Sequence, residues 1–445
     1  MRLRLHSLTT AVALLLWMAV SVHAQAPPTS RQGQGLFGGA KPDAAANTRV
    51  DFTASLVEGY DDDVPASLSQ TIDPVALQTG GFSSTLNTGG AYAWRTARTE
   101  VGLVGTSVVR HYADVGETRG VGSSFGAGIS TRLPGHFTLL ANQAGTYTPT
   151  YLSGLFPTGV TVEAGSPGET APDYTVNDLK SYTYSSTLSL RRDFSSRTSF
   201  VASGDFQFTD RREETQLWQD VSAHWLRGEF SRNVTRNTAL NAQYRYRSGA
   251  FGYTNDLQTI EHAVDFGVNY SRPLSPTRRA TVRVNVGVSG ADVPQSVEGG
   301  GHKIVREYLG NGFVSFEYQF QQSWQARANY RRGIEYVVDI PEPVFADSWA
   351  GSVEGFLSRR LDLAVFAGYS TGRSLLTTSA LAYDTYTGSF RVRYALSRLV
   401  ATHVEYLYYF YDFAAGTPLL IGVPPGLERQ GVRVGLTLWM PAFRR

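Results

Sequence analysis

The segment Arg279–Gly290 reads "RATVRVNVGVSG", and its apolar residues fall on every second position. Ala280, Val282, Val284, Val286 and Val288 share one parity, and Thr281, Arg283, Asn285 and Gly287 share the other. A helix cannot place such a series on one face, whereas a β-strand does so by its pleat. The same alternation runs through Val50, Phe52, Ala54 and Leu56, and through Phe125, Ala127 and Ile129 against Ser124, Gly126, Gly128 and Ser130. A chain built this way must form strands with one apolar and one polar face.

About eighteen such strands are expected, with sixteen as the alternative: 48–59, 83–95, 98–112, 118–132, 136–149, 178–193, 198–211, 215–233, 236–250, 257–272, 279–293, 304–321, 324–339, 346–359, 361–374, 381–396, 399–414 and 427–440. Many are far longer than the five or six residues of an ordinary globular strand. Every second connection is tight, as in "RTAR", "LPGH", "FSSRT", "NVTRN", "LSRR" and "LSRL". The others include the longer stretches 60–82, 149–177, 291–303 and 414–426. Short turns on one rim and long loops on the other, with strands long enough to cross hydrocarbon, define an all-β, antiparallel, up-and-down transmembrane β-barrel. The absence of a repeat of ~40 residues argues against a propeller.

The stretch "YALSRLVATHVEYLYYFYDF" fits that solvent. Val400, Thr402, Val404, Tyr406, Tyr408 and Phe410 form a lipid-facing stripe whose tyrosines belong to an interfacial girdle, while Tyr409 and Tyr411 turn inward. At the N-terminus, Arg2 and Arg4 precede an apolar run from Ala11 to Val20 and the small-residue site Val22-His23-Ala24. This reads as a secretory signal peptide over 1–24. Residues 25–47, rich in Pro, Gly, Ala and Gln, read as a disordered periplasmic segment, and 48–445 as the barrel. No later run reaches the ~20 apolar residues of a spanning helix. Cysteine is absent, so no disulfide or thiolate site exists. A formal net charge of +2 gives no electrostatic basis for nucleic-acid binding.

Parity assigns Arg245, Asp265, Arg283, Glu317, Arg327, Arg331, Glu354, Arg391, Arg393 and Glu405 to the inner face as pore-lining candidates. Distances from the tight turns predict three opposed pairs: Asp265 with Arg283, Glu317 with Arg327, and Arg391 with Glu405. Such pairs stiffen a barrel wall, and they also set the field in a water-filled lumen. Strands 118–132 and 136–149 point mainly Gly, Ser, Thr and Ala inward instead, with Gly122, Ser124, Gly126, Gly128, Ser130, Thr138 and Ala144 on that face. The longest loop follows directly and mixes Leu152, Leu155, Phe156 and Val160 with acidic Glu163, Glu169, Asp173 and Asp178. That mixture suits either a constriction loop folded into the lumen, facing its arginines, or an extracellular flap.

Signal peptide, alternating strands and turns such as "LSRRLDLAVFAGYS" resemble the β-barrel porins of bacterial outer membranes, some of which accompany exopolysaccharide-export systems. The resemblance implies an outer-membrane location, with lipid, lipopolysaccharide and the barrel-assembly machinery as partners. It also implies passive passage of small hydrophilic solutes, or alternatively a non-enzymatic structural or polysaccharide-export role. Members end on a strand with a terminal aromatic; here Phe443 occupies that place, with Pro441 expected to interrupt the strand and Arg444-Arg445 following. Too few residues precede Thr48 for a plug domain. The histidines His111, His136, His224, His262, His302 and His403 are scattered and form no nucleophile–base motif, so no enzyme and no cofactor is expected. The run Asp61, Asp62 and Asp63 is placed on the first outer loop, where it is either a weak divalent-cation site bridging lipopolysaccharide or a solvated run. Epitope tags inserted in 60–82 should be reachable on intact cells, and tags at Ser397 should not; the reverse labelling would invert the orientation.

Overall fold

The computed structural model describes residues 47–65, 78–112, 119–150, 176–211, 220–251, 257–275, 278–297, 301–320, 323–335, 340, 342–375, 381–417 and 425–444. Eighteen strands follow one another: β1 Thr48–Pro65, β2 Gln78–Arg95, β3 Thr99–Tyr112, β4 Arg119–Leu133, β5 Phe137–Thr150, β6 Val176–Asp193, β7 Thr198–Arg211, β8 Val221–Asn233 and β9 Thr238–Phe251. The second half comprises β10 Leu257–Ser275, β11 Arg278–Val297, β12 Gly301–Phe320, β13 Trp324–Glu335, β14 Val344–Phe356, β15 Leu361–Ser374, β16 Ala382–Ala395, β17 Val400–Phe413 and β18 Gly426–Arg444. Each pairs antiparallel with the next, and β1 pairs with β18 from Arg49↔Arg444 to Asp61↔Gly431. The sheet is therefore closed, with no free edge around the wall.

Side-chain parity sorts cleanly. Phe52, Leu56, Leu86, Phe125, Leu188, Phe266, Val286, Val353, Val404 and Leu436 are all exposed on the outer face. Apolar side chains left uncovered in a continuous band mark a lipid-facing surface. Aromatic neighbours rim it, among them Tyr330 with Trp349 (centroids 4.4 Å apart) and Tyr369 with Tyr386 (4.8 Å). Their hydroxyls reach Asp347 (2.6 Å) and Asp384 (3.1 Å), so each ring sits in lipid and its polar tip is satisfied.

The short-turn rim has a repeated chemical cause. In "FSSRT", "VTRNT", "LSRRL" and "LSRLV" the backbone N–H of the first residue bonds the carbonyl four residues on, at 2.9–3.0 Å. Inside each turn, the hydroxyl of Ser195, Thr235, Ser358 or Ser397 accepts backbone N–H groups that would otherwise be unpaired.

Several expectations need correction. Residues 60–65 and 78–82 are strand rather than loop, as are 291–297 and 301–303. β1 and β2 stay paired to Pro65↔Gln78, and β11 and β12 to Val297↔Gly301. An epitope tag for the first connection therefore belongs in 66–77, because insertions at 60–65 or 78–82 would break the β1–β2 ladder. Asp178 lies in β6 rather than in the long loop. Pro441 does not end β18. Asp51 pairs with Pro441 and Val50 with Phe443, leaving Ala442 as the extra residue of a bulge. A proline, lacking the N–H, is tolerated at such a place. The extra residue also shifts parity by one, so Phe443 returns to the exposed outer face beside Met440.

Inward charges lie flat on glycines of the next strand. A Cβ built at Gly287 would stand 2.2 Å from both the Asp265 carboxylate and the Val264 carbonyl oxygen, whereas one at Gly310 would meet nothing within 4 Å. Gly287→Ala should lower the unfolding temperature of the detergent-solubilised barrel, at a cost of about 1–3 kcal/mol. Gly310→Ala should leave it unchanged. Equal behaviour of the two variants would refute the packing.

Candidate functional site

The inner wall is the candidate site, and parity places the ten pore-lining candidates on it. Arg391 opposes Glu405, which opposes Arg433 in turn. Glu317 opposes Arg327 as the turn spacing predicts. Their polar contacts are redistributed, however: Glu317 accepts from Gln325 (2.7 Å) and Gln319 (3.2 Å), while Arg327 pairs with Glu354 at 3.7 Å. The expected pair of Asp265 and Arg283 does not form. The β10–β11 connection lies between Ser275 and Arg278, beyond Pro273, so Asp265 faces Gly287 and Arg283 faces Asn269. Asp265 accepts instead from Gln243 at 2.7 Å. Arg331 pairs with Glu335 (2.8 Å), and Arg393 with Asp362. Glu163, Glu169 and Asp173 lie outside the described residues, as do residues 1–24, which the sequence reads as a signal peptide.

Near the rim of the longer connections, β16 to β3 carry a dry sector. Asp61 is paired with Arg429 at 2.6 Å, and both are almost fully buried. Tyr112 also bonds Arg429, and Arg110 donates to Thr85 (3.0 Å) and Tyr112 (3.5 Å). Tyr409, Tyr411 and Thr385 are buried beside them. Sequence reasoning placed Asp61, Asp62 and Asp63 together on a loop. In β1 the pleat sends Asp61 inward and leaves Asp62 exposed, accepting from the Gln430 backbone N–H at 2.6 Å. Asp61 and Asp62 therefore point to opposite faces and cannot converge on one cation, and among the described residues no cluster of three potential ligands forms.

A second filled sector was not anticipated. β12 and β13 part after Gly312↔Arg332, while β13 and β14 stay paired to Glu335↔Val344. Ile334 and Phe345, outward by parity, are nevertheless buried against Ala291, Val293 and Leu375, with Leu309 packed on them. The top of β13–β14 therefore tucks inside the β11–β12 hairpin. Arg247 donates to the Ile334 carbonyl and ion-pairs with Glu261 at 3.4 Å. Glu261 accepts from Ser289 (2.7 Å), whose hydroxyl accepts from Asn311 (2.8 Å). Ser374 ties Glu342 (2.7 Å), and the Leu375 N–H reaches the Pro343 carbonyl (3.0 Å). The legible signal was "IPEPVF", with apolar Ile340, Val344 and Phe345 flanking two prolines in a connection otherwise read as an ordinary loop. Outside this packing, Arg306 on the projecting hairpin donates to both carboxylate oxygens of Asp292 (2.6 Å each) and holds that carboxyl below its usual range.

The rest of the inner wall is wetter. Arg227, Arg283 and Arg331 are exposed on it, and the inward Gly, Ser and Thr residues of β4 to β6 are mostly half-buried. Among the described histidines, His224 and His262 stack outward on Phe206 and Tyr246, and His403 is buried in the wall over Gly435.

These features define a transmembrane β-barrel with a polar, partly filled interior. No protein-family model and no curated protein matches the chain. Among solved structures it is similar in architecture to Acinetobacter baumannii OccAB2, with 10% identity, 89% of this chain and 98% of that chain covered, and a TM-score of 0.45. Pseudomonas aeruginosa OccK2 (OpdF) in complex with glucuronate is similar at 10% identity, 89% and 99% coverage and a TM-score of 0.43. Pseudomonas aeruginosa OpdQ is similar at 11% identity, 89% and 98% coverage and a TM-score of 0.41.

Dry and wet sectors should respond differently to loss of one charge. Asp61→Asn leaves a buried guanidinium without its carboxylate and should cost about 3–5 kcal/mol. Glu317→Gln, on a hydrated wall with amide partners, should cost ~1 kcal/mol or less. Denaturant titration of both variants in one detergent measures the difference, and a reversed order would overturn the assignment of sectors.

Proposed function

We propose that the protein is an outer-membrane, porin-like channel for passive diffusion of small hydrophilic solutes. The observation that carries this reading is an inner wall with charged groups accessible to water, notably Arg227, Arg283 and Arg331, within a closed lipid-facing barrel. A structure serving only as an anchor has no need of hydrated charges on its inner face; a channel uses them to carry solutes through hydrocarbon. The candidates Arg245, Glu317, Arg327, Glu354, Arg391, Arg393 and Glu405 tune that wall, and its mixed signs favour weak ion selectivity. The reading is non-enzymatic, with lipid, lipopolysaccharide and the assembly machinery as its partners. A second reading, a closed barrel with a structural or polysaccharide-export role, is favoured by one observation: the buried Asp61–Arg429 sector fills part of the interior.

Planar-bilayer recording separates the two. Stable stepwise currents are expected from the purified protein, and silence would establish the closed barrel. Deleting 153–172 tests the long acidic loop as a constriction. It should raise conductance while the barrel stays folded, and an unchanged current would place that loop outside the passage.

A further inference from the structure

Resting on the channel reading, we infer that solute crosses the half of the barrel with longer connections along β4 to β6. We further infer that this face takes an uncharged, polyhydroxylated solute, a saccharide. Two sectors close the alternatives at that level. From β16 to β3 the inner wall is dry, with Thr385 and Tyr411 0% exposed and Arg429 1%. From β9 to β14 the tucked segment around Ile334 covers the wall, and Glu261 beneath it is 1% exposed. Between these sectors the inner face of β4 and β5 stays accessible: Ser124 is half-buried, and Asn142 and Thr146 are exposed. On β6 the half-buried Ser185 continues this face, and among its described inward side chains Ser181, toward the rim, is covered.

The chemistry of that face is distinct. The described inward residues of β4 to β6 carry three charges, Arg132, Arg191 and Asp193, and all three lie at the short-turn rim. Gly122 leaves room in front of the backbone, since a Cβ there would meet only the Tyr147 carbonyl oxygen at 3.7 Å, whereas the Val104 side chain lies over Gly126. Apart from Leu140 and Ala144, what remains is a grid of hydroxyl and amide groups, spaced by about 5 Å between strands and about 7 Å along them. Each hydroxyl both donates and accepts, as the hydroxyls of a sugar do. A saccharide moving along the grid exchanges water for equivalent partners, while an ion finds no fixed charge to hold it. Thr106 and Ser124 already form one such hydroxyl pair, 2.6 Å apart.

The chain has no cysteine, so single thiols report position without background. Ser124→Cys and Ser185→Cys lie on the inferred track, and Thr385→Cys lies in the dry sector as the control. Each full-length variant is reconstituted in planar bilayers and treated with a charged, membrane-impermeant methanethiosulfonate. Modification at 124 and 185 should lower conductance by about twofold or more, and treatment of the 385 variant should change nothing. Maltotriose should reduce the wild-type current, and gluconate, its anionic comparator, should not. A block at 385 with none at 124 and 185 overturns the track. A block by gluconate with none by maltotriose overturns the solute class and points to an anionic substrate. No current in any variant removes the channel reading and this inference with it; current that ignores thiols at 124 and 185 removes the inference alone.

Discussion

Every feature of this barrel depends on backbone hydrogen bonding in a medium that offers no substitute. In hydrocarbon an unpaired N–H or C=O costs several kcal/mol, so a sheet can cross only if it has no edge. The β1–β18 ladder supplies that closure from Arg49 to Asp61, and it does so through Pro441, at the place where a residue without an N–H would otherwise open the seam. The bulge at Ala442 keeps the ladder and resets the parity together, which is why Phe443 still faces lipid.

Closure divides the chain's side chains by parity into two solvents, and the interior then divides again. Near the rim of the longer connections, arginines and tyrosines pack against carboxylates and glycines until little surface is left. Seating long side chains on glycines lets a curved wall bury charge without widening. Elsewhere the wall is small and hydroxylated, and water reaches it. An inner face that is polar throughout is therefore not uniformly wet; packing, rather than composition, decides where solute has room.

The sequence states the wall plainly and the filling poorly. Alternation such as Ala280 to Val288 fixed strand identity and facing, because period two has one geometric solution. Register was less accessible. Asp265 and Arg283 match only if the turn centres near Pro273, yet β10 runs to Ser275 and moves every partner by four residues. The expected strand ends fall short at 60–65 and 294–297 because Asp and Pro there suggest loop, while pairing with the neighbouring strand overrides that preference. The inward tuck of Ile334 and Phe345 reverses the side that parity assigns them. It is a tertiary event, created by the parting of β12 from β13, and only the apolar Ile340, Val344 and Phe345 around Pro341 and Pro343 hinted at it.

The Asp61–Arg429 pair joins residues 368 apart in the chain. It bridges the first strand and the last, so it cannot exist before the final strand has arrived. Bringing such distant segments together carries a loop-closure penalty that local hairpins avoid, and contacts of this range form late and slowly. Until then the aspartate and the arginine are both hydrated, and neither resists movement of the open sheet. Once the ends meet, the same two groups become a buried ion pair whose separation means exposing charge to a dry interior. The seam is thus slow to shut and, once shut, costly to reopen, giving the barrel a direction in time that the other hairpin-linked strand pairs do not supply.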